Sequence, residues 1–437
     1  MRKKICEIPD TFIPCVNELK VNAKILTKTY CFELITPLLG GDHESWKLDL
    51  KRPVREQSVK GQLRFWWRAM QGEENNKILL DLENNLWGGV TEKYKNGRKS
   101  QVSIYLSDIN VEEKKLAEMK NKYSVNDDLI PACVLFPVTK LVKDNDEIYF
   151  ISKMNFKLKI SYPEKYEKEI INTLKLFTLF GGVGARTRRG TGSLYCRELL
   201  EDFETESDIL NFVQKISSGT EKKIDYPRLK GIEFYCNELN GDDPHILWKS
   251  MLESYGSYRQ DRAKKQNSNM PGRSYWPEPD SIRTITGQKE EKHSPEHPDV
   301  VDKKNPWFPR TAFGLPILMK FKDQKDPGGG KECSLTTDIG TGERFPSPVI
   351  LKVIKLPNEK IFKCAVVLNQ KFPESIRLKV PGFNNNKAYS LKKTELPFHE
   401  NYQNKTMRKK SPLNGKSIYE DLAFYLNLNK VEPKEAD

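Results

Sequence analysis

Between residues 181 and 192 the chain reads Gly181-Gly182-Val183-Gly184-Ala185-Arg186-Thr187-Arg188-Arg189-Gly190-Thr191-Gly192, five glycines around three arginines with no carboxylate among them. Glycine lets a backbone approach a ligand closely, and a guanidinium meets a phosphate with a planar fork of donors. These residue types together suit a polyanion. The plainer reading is a flexible, solvated turn, and the length and charge purity of the loop stand against it. A second concentration of charge runs from Lys47 to Arg68, where seven cations face only Asp49 and Glu56. Within it Lys60, Arg64 and Arg68 recur at four-residue spacing on one helix face, with Arg52 and Arg55 just ahead. Lysine and arginine contacts to phosphates supply most of the sequence-independent affinity for nucleic acid. A basic helix beside a basic loop is therefore an expected nucleic-acid surface, with an ordinary solvated helix face as the competing reading.

Other chemistries fit the residues less well. In Gly182-Val183-Gly184-Ala185-Arg186-Thr187 the third glycine of a dinucleotide fingerprint is replaced by Thr187, and the loop follows a helix where such a site needs a strand. Gly415-Lys416-Ser417 copies the end of a P-loop, but Lys410 stands where its first glycine belongs. His293 and His297 have metal-ligand spacing only on a helix, which Pro295 between them opposes. His43, beside Gly40-Gly41-Asp42, is the remaining candidate for a metal-independent RNA-cleaving base, while His245 and His399 have no companion that sequence places nearby. The expectation is a binding protein with no catalytic residue, no metal and no cofactor.

The elements that must position these residues follow from periodicity. Tyr30 to Thr36 reads as a strand ending at Pro37 and the Gly40-Gly41 turn. From Ser58 as N-cap, Val59, Leu63, Trp66 and Met70 recur at helical spacing, and at least one of Trp66 and Trp67 belongs in a core. Further β-prone runs lie at Val102 to Leu106, Ala132 to Val138 and Phe156 to Ile160. A helix bearing Ile170, Ile171, Leu174 and Phe177 runs into the Gly/Arg loop, and a strand from Gly192 to Arg197 follows. The order βαββαβ is that of a ferredoxin-like or RRM-like unit. Polar residues Ser217 to Lys223 mark a boundary, after which a second cycle begins: strand Gly231 to Cys236, helix Ile246 to Tyr258, apolar runs at Leu315 to Phe321, Val349 to Ile354 and Phe362 to Leu368, and a helix from Ile418 to Leu428. The stretch from Gln260 to Arg310, rich in proline and charge, reads as an inserted loop outside the core. The fold expected is α+β, with two tandem ferredoxin-like (RRM-like) domains, 1–225 and 226–437, carrying long inserted loops.

Composition bounds the setting. A chain of 437 residues exceeds one typical domain, and 73 basic against 60 acidic residues leave +13, which favours polyanionic partners. No apolar run approaches the roughly 18 residues of a membrane span. Eight cysteines without a CxxC pattern read as reduced packing residues. A soluble cytoplasmic protein is expected.

Three of these segments carry a resemblance. Ile35-Thr36-Pro37-Leu38-Leu39-Gly40-Gly41, the helix motif Ser58-Val59-Lys60-Gly61-Gln62-Leu63-Arg64-Phe65-Trp66-Trp67-Arg68 and the Gly/Arg loop together resemble the RAMP superfamily, and within it the Cmr-one family of type III-B CRISPR effector complexes. Tyr275 to Arg283, Phe313 to Ile317 and Arg344 to Pro348 look like later segments of the same family. The resemblance spans about residues 30 to 370, while Leu39 and Asp42 vary an often glycine-rich turn and residues beyond Asn385 have no counterpart. It implies tandem RAMP domains in a non-catalytic RNA-binding subunit at the head of a hetero-oligomeric Cmr ribonucleoprotein. There the subunit would contact the 3′ region of the crRNA and assist target RNA binding in antiviral defence, with RNA cleavage residing in another subunit. RNA contacts are expected from Lys60, Arg64, Arg186, Arg188 and Arg189, then Arg52, Arg55 and Arg68, with Gly181, Gly182, Gly184 and Gly190 shaping the loop. The alternatives are a RAMP-type endoribonuclease that processes CRISPR RNA, and a protein scaffold whose basic loop meets acidic partners.

Overall fold

Tyr30, Phe32 and Leu34 alternate with Thr29, Cys31 and Glu33, and this period of two divides strand β1 (Ile25–Leu34) into a buried face and an open one. In the computed structural model, which describes residues 24–42, 47–90, 97–115, 130–135, 149–239, 243–260, 274, 276–290, 306–337, 344–383, 388–390 and 417–433, β1 lies inside a four-stranded sheet. Along the chain follow α1 (Glu56–Met70), α2 (Asn76–Trp87), β2 (Ser103–Lys115), β3 (Tyr149–Pro163), α3 (Glu167–Phe180) and β4 (Leu194–Tyr195). The antiparallel strand order β4-β1-β3-β2 is ferredoxin-like, as the βαββαβ reading expects. Phe32 and Phe156 stack at 5.3 Å on the buried face, while Lys157 and Lys159 stand on the other.

After α4 (Glu206–Ile216) the pattern repeats with β5 (Arg228–Leu239), α5 (Pro244–Gln260), α6 (Glu278–Thr286), β6 (Ile317–Lys320), β7 (Glu332–Thr337), β8 (Val349–Lys355), β9 (Ile361–Asn369), β10 (Ser375–Lys379), β11 (Ala388–Ser390), α7 (Ile418–Tyr425) and β12 (Asn429–Lys430). The second sheet has the order β12-β5-β9-β8, again ferredoxin-like. A third, β11-β10-β7-β6, is assembled from insertions on either side of the β8–β9 hairpin. The second sheet is covered on both faces. Phe362, Cys364 and Val366 join the core of α1 and α3, where Phe180 meets Phe234 at 6.0 Å, and Ala365 and Val367 join the core under α5 and α7. Double burial explains the nearly continuous apolar letters of β8 and β9, and it stacks the layers as sheet, helices, sheet, helices.

Three expectations need correction. Helix α1 begins at Glu56 with Arg55 as an N-cap whose side chain makes no capping bond, so Ser58 lies inside the first turn; Glu56 there complements the positive helix end. Ala132–Leu135 is a short helix instead of a strand. The stretch around residues 276–286 is not outside the core: Trp276 and Ile282 are buried, and so are Glu278 and Asp280, which pair with Arg310 and Arg283. Ser417 of the P-loop look-alike is the N-cap of α7, within a capping box with Glu420. Among the described residues no helix is long and apolar enough to cross a membrane.

Candidate nucleic-acid interface

The Gly/Arg loop leaves the C-terminal end of α3 directly under α1. A Cβ on Gly181 would lie 2.8 Å from the indole nitrogen of Trp66, and one on Gly192, where φ is +62°, would lie 1.9 Å from the Val183 carbonyl oxygen. The loop is closed on itself by the Val183 amide, which donates to the Gly192 carbonyl at 3.0 Å. It is fastened to the turn after β1 as well, for the amides of Ala185 and Gly192 donate to the carbonyls of Leu39 and Pro37 at 2.7 and 2.8 Å. Thr36 Oγ1 and Ser193 Oγ both donate to the Gly190 carbonyl, at 2.6 and 2.9 Å. The loop is thus pinned and not the flexible, solvated turn of the plainer reading, because its backbone groups are paired with neighbouring backbone.

Its far side meets the second sheet. The guanidinium of Arg188 donates to the Ser347 carbonyl, Arg189 Nη1 reaches the Val349 carbonyl at 3.5 Å, and Trp248 Nε1 donates to the Arg189 carbonyl at 2.8 Å. Arg189 also stacks over Tyr255 at 4.5 Å, and Arg188 over Phe65 of α1 at 5.7 Å. Burial, and then the neighbouring Arg189, push the Arg188 guanidinium down to about 10. From β8 the fully buried Lys352 donates to the Gly181 carbonyl. Arg188 and Arg189 therefore bridge the two sheets' layers, while Arg186, in the left-handed conformation with φ +60°, keeps part of its surface exposed, and burial of the rest, then the charge of Arg189, lowers its pKa.

On α1 the buried stripe contains Val59, Leu63, Trp66, Trp67 and Met70, so both tryptophans are core. The cations on the other face are not all addressed to solvent. Arg64 Nε and Arg68 Nη1 bind the two oxygens of Glu83, at 2.6 and 3.2 Å, and that carboxylate is 1% exposed. One buried acid shared by two arginines leaves the pair with a surplus positive charge and orients both side chains. Lys60 is half-buried, and burial followed by the charge of Arg64 depresses its pKa. Arg55 donates to the Gly41 carbonyl, and Gly41 in turn packs 3.7 Å from the Gly184 Cα as a Cβ would see it. Arg52 is exposed beside it. The turn, the start of α1 and the loop thus form one continuous basic surface.

Glu83 escaped the sequence reading, although it shares the buried face of α2 with Leu79 and Leu86, and an acid at a core position is a signal of a buried partner. Lys352, an isolated cation within an apolar strand, is a signal of the same kind. His245 packs edge-on against Trp248 at 5.6 Å. His43, His293, His297 and His399 lie outside the described residues, as does Lys410. Among the described residues no group of three or more metal-ligating side chains gathers.

A family model, the RAMP superfamily, matches residues 31–195, which contain the turn, α1 and the loop. A curated relative, the CRISPR system Cmr subunit Cmr1-1 of Pyrococcus furiosus, is 26% identical over 183 residues, 39% of this chain and 50% of that protein. The chain thus matches about half the length of that relative. Solved structures similar to it include apo Cmr1 from Pyrococcus furiosus, with a TM-score of 0.46, 20% identity and coverage of 80% of this chain and 90% of that one. Another is a chain of the type III-B Cmr-beta complex bound to cognate target RNA, with a TM-score of 0.44, 13% identity and coverage of 80% and 96%. The resemblance read from the three motifs is borne out, and the RAMP match falls on the segments that build the basic surface.

Proposed function

We propose that this RAMP protein is a non-catalytic, cytoplasmic, RNA-binding subunit of a type III-B Cmr effector complex, dividing near residues 225/226 into two RAMP domains. The observation that carries the reading is the convergence of the Pro37–Gly41 turn, the start of α1 and the Gly/Arg loop on one basic surface, inside the residues that match the superfamily. Arg52, Lys60, Arg64, Arg68 and Arg186 supply phosphate contacts to crRNA near its 3′ region and to target RNA, and Arg55, whose guanidinium donates to the Gly41 carbonyl, fixes the turn beside them. Arg188 and Arg189, committed to carbonyls, hold the loop in place, and Gly181, Gly182, Gly184 and Gly190 let it pack closely. Neighbouring Cmr subunits complete the assembly.

Equilibrium binding of single-stranded RNA, measured by fluorescence anisotropy across a salt series, tests this. The expected result is micromolar or tighter affinity with weak sequence preference and a log–log salt slope of roughly −0.7 per phosphate engaged. Arg52→Gln with Arg186→Gln should make the slope shallower. Binding that is absent, or indifferent to salt, would sink the proposal.

A further inference from the structure

Beside the basic surface, α1 and the segment after α2 enclose a groove of about 300 Å³ lined by Gln57, Lys60, Gly61, Arg64, Trp87, Gly88, Arg98 and Ser100. Three of these are cations and none is a carboxylate. Residues 88–89 and 98–100 are held to one another: Gly89 and Arg98 exchange backbone hydrogen bonds of 3.1 and 2.7 Å, and a Cβ on Gly88 would lie 2.6 Å from the Ser100 amide nitrogen. Arg98 is thereby set opposite Lys60 and Arg64 by a fixed backbone. The groove also contains the fully buried Trp87, whose indole N–H has no hydrogen-bond partner among the described residues.

Gly61 gives the groove its meaning. It sits in the interior of α1, where glycine is unfavourable relative to alanine, yet a Cβ there would meet nothing within 4 Å. The fold makes no use of the missing side chain, whereas a ligand lying against the helix would. Glu83 beneath orients Arg64 and offsets only part of the charge that it shares with Arg68.

We propose that this groove holds one internal phosphodiester of a single-stranded RNA, with Lys60, Arg64 and Arg98 around the phosphate and the bare backbone at Gly61 beneath the ribose. This deepens the RNA-binding reading and rests on it, adding Arg98, and the room at Gly61, to the contacts already assigned. It predicts a second phosphate position on the α1 face, apart from the one at the Gly/Arg loop.

The test is anisotropy across a salt series on the full chain, with a 3′-hydroxyl and a 3′-phosphorylated oligoribonucleotide as probes. Arg98→Gln should weaken binding of both by about tenfold, the weight of one charge-assisted hydrogen bond, and reduce the salt slope by roughly 0.7. Gly61→Glu introduces a carboxylate over the groove at a position with free space and a better helix former. It should keep the melting temperature and lose more affinity than Arg98→Gln. If Arg98→Gln and Gly61→Glu both bind as the wild type does while Arg186→Gln binds more weakly, the groove is no phosphate site although the RNA reading stands. A loss confined to the phosphorylated probe overturns the internal placement. A wild-type chain that binds neither probe overturns both proposals.

Discussion

Lys352 stands on the face of β8 that packs against α1 and α3, fully buried, with the Gly181 carbonyl as its hydrogen-bond partner and no ion pair among the described residues. Gly181 ends α3, so the amine meets the negative end of a helix, a partial substitute for a counter-ion. Burial lowers its pKa from 10.5 to about 7, opposed by the nearby Cys364 thiol. Between those values the unfolded chain carries a proton that the folded chain excludes, so stability rises with pH from about 7 to about 10.5. The full difference is on the order of 5 kcal/mol at ~1.4 kcal/mol per pH unit. Lys352→Met removes the ionisable group but leaves the Gly181 carbonyl without its donor, a loss of about 1–3 kcal/mol. The variant should therefore be the more stable protein at pH 6.5–7, and its advantage should shrink by up to ~1.4 kcal/mol per unit as pH rises. Urea unfolding of both proteins from pH 6.5 to 9 reads the effect. The thiols of Cys133 and Cys333, raised by burial to about 11, lose stability as pH climbs above about 9, but they do so equally in both proteins and cancel in the difference. Stability curves that run parallel over this range would show that Lys352 keeps its charge in the folded state, and the account of its burial would be wrong.

Other outcomes follow from the same geometry. Glu83→Gln leaves Arg64 and Arg68 crowded without their shared acid and should cost about 1–3 kcal/mol in thermal or urea unfolding, discounted for the partial exposure of the arginines. Gly61→Ala should stabilise the chain by about 0.5–1 kcal/mol, since its Cβ enters open space; a drop in melting temperature would mean that the fold needs the gap. Arg188→Ala with Arg189→Ala should speed proteolysis between the two sheets and lower the melting temperature while leaving the RNA salt slope unchanged, because both side chains are occupied by carbonyls and rings. A shallower slope in that variant would return these arginines to the phosphate surface.

The legible parts of the fold are those whose partners are patterned locally. The alternation in β1 and β3 and the 3.6-residue stripe of α1 report a core on one side, and the order of such elements sufficed for the ferredoxin-like unit. The composition of the Gly/Arg loop was visible, but the contact of Arg188 with Ser347 crosses 159 residues, and no local pattern announces it. Charge misled at residues 276–286: Glu278 and Asp280 look like solvent residues until Arg310 and Arg283 are folded against them, because an acid tolerates burial only when paired. Strand β12, of two residues, is too short for periodicity to register and pairs along the edge that β5 offers.

The position of β12 bears on how the chain reaches this state. Its residues Asn429 and Lys430 pair with Cys236 and Tyr235 at the outer edge of the second sheet. Translation at ~5–20 residues per second separates the two segments by on the order of 10–40 s. During that interval the face of the second sheet that α7 covers, with Ala365 and Val367 on it, is open to water. The nascent chain should therefore be a chaperone client, and variants truncated before residue 417 should accumulate as aggregates instead of as a free first unit.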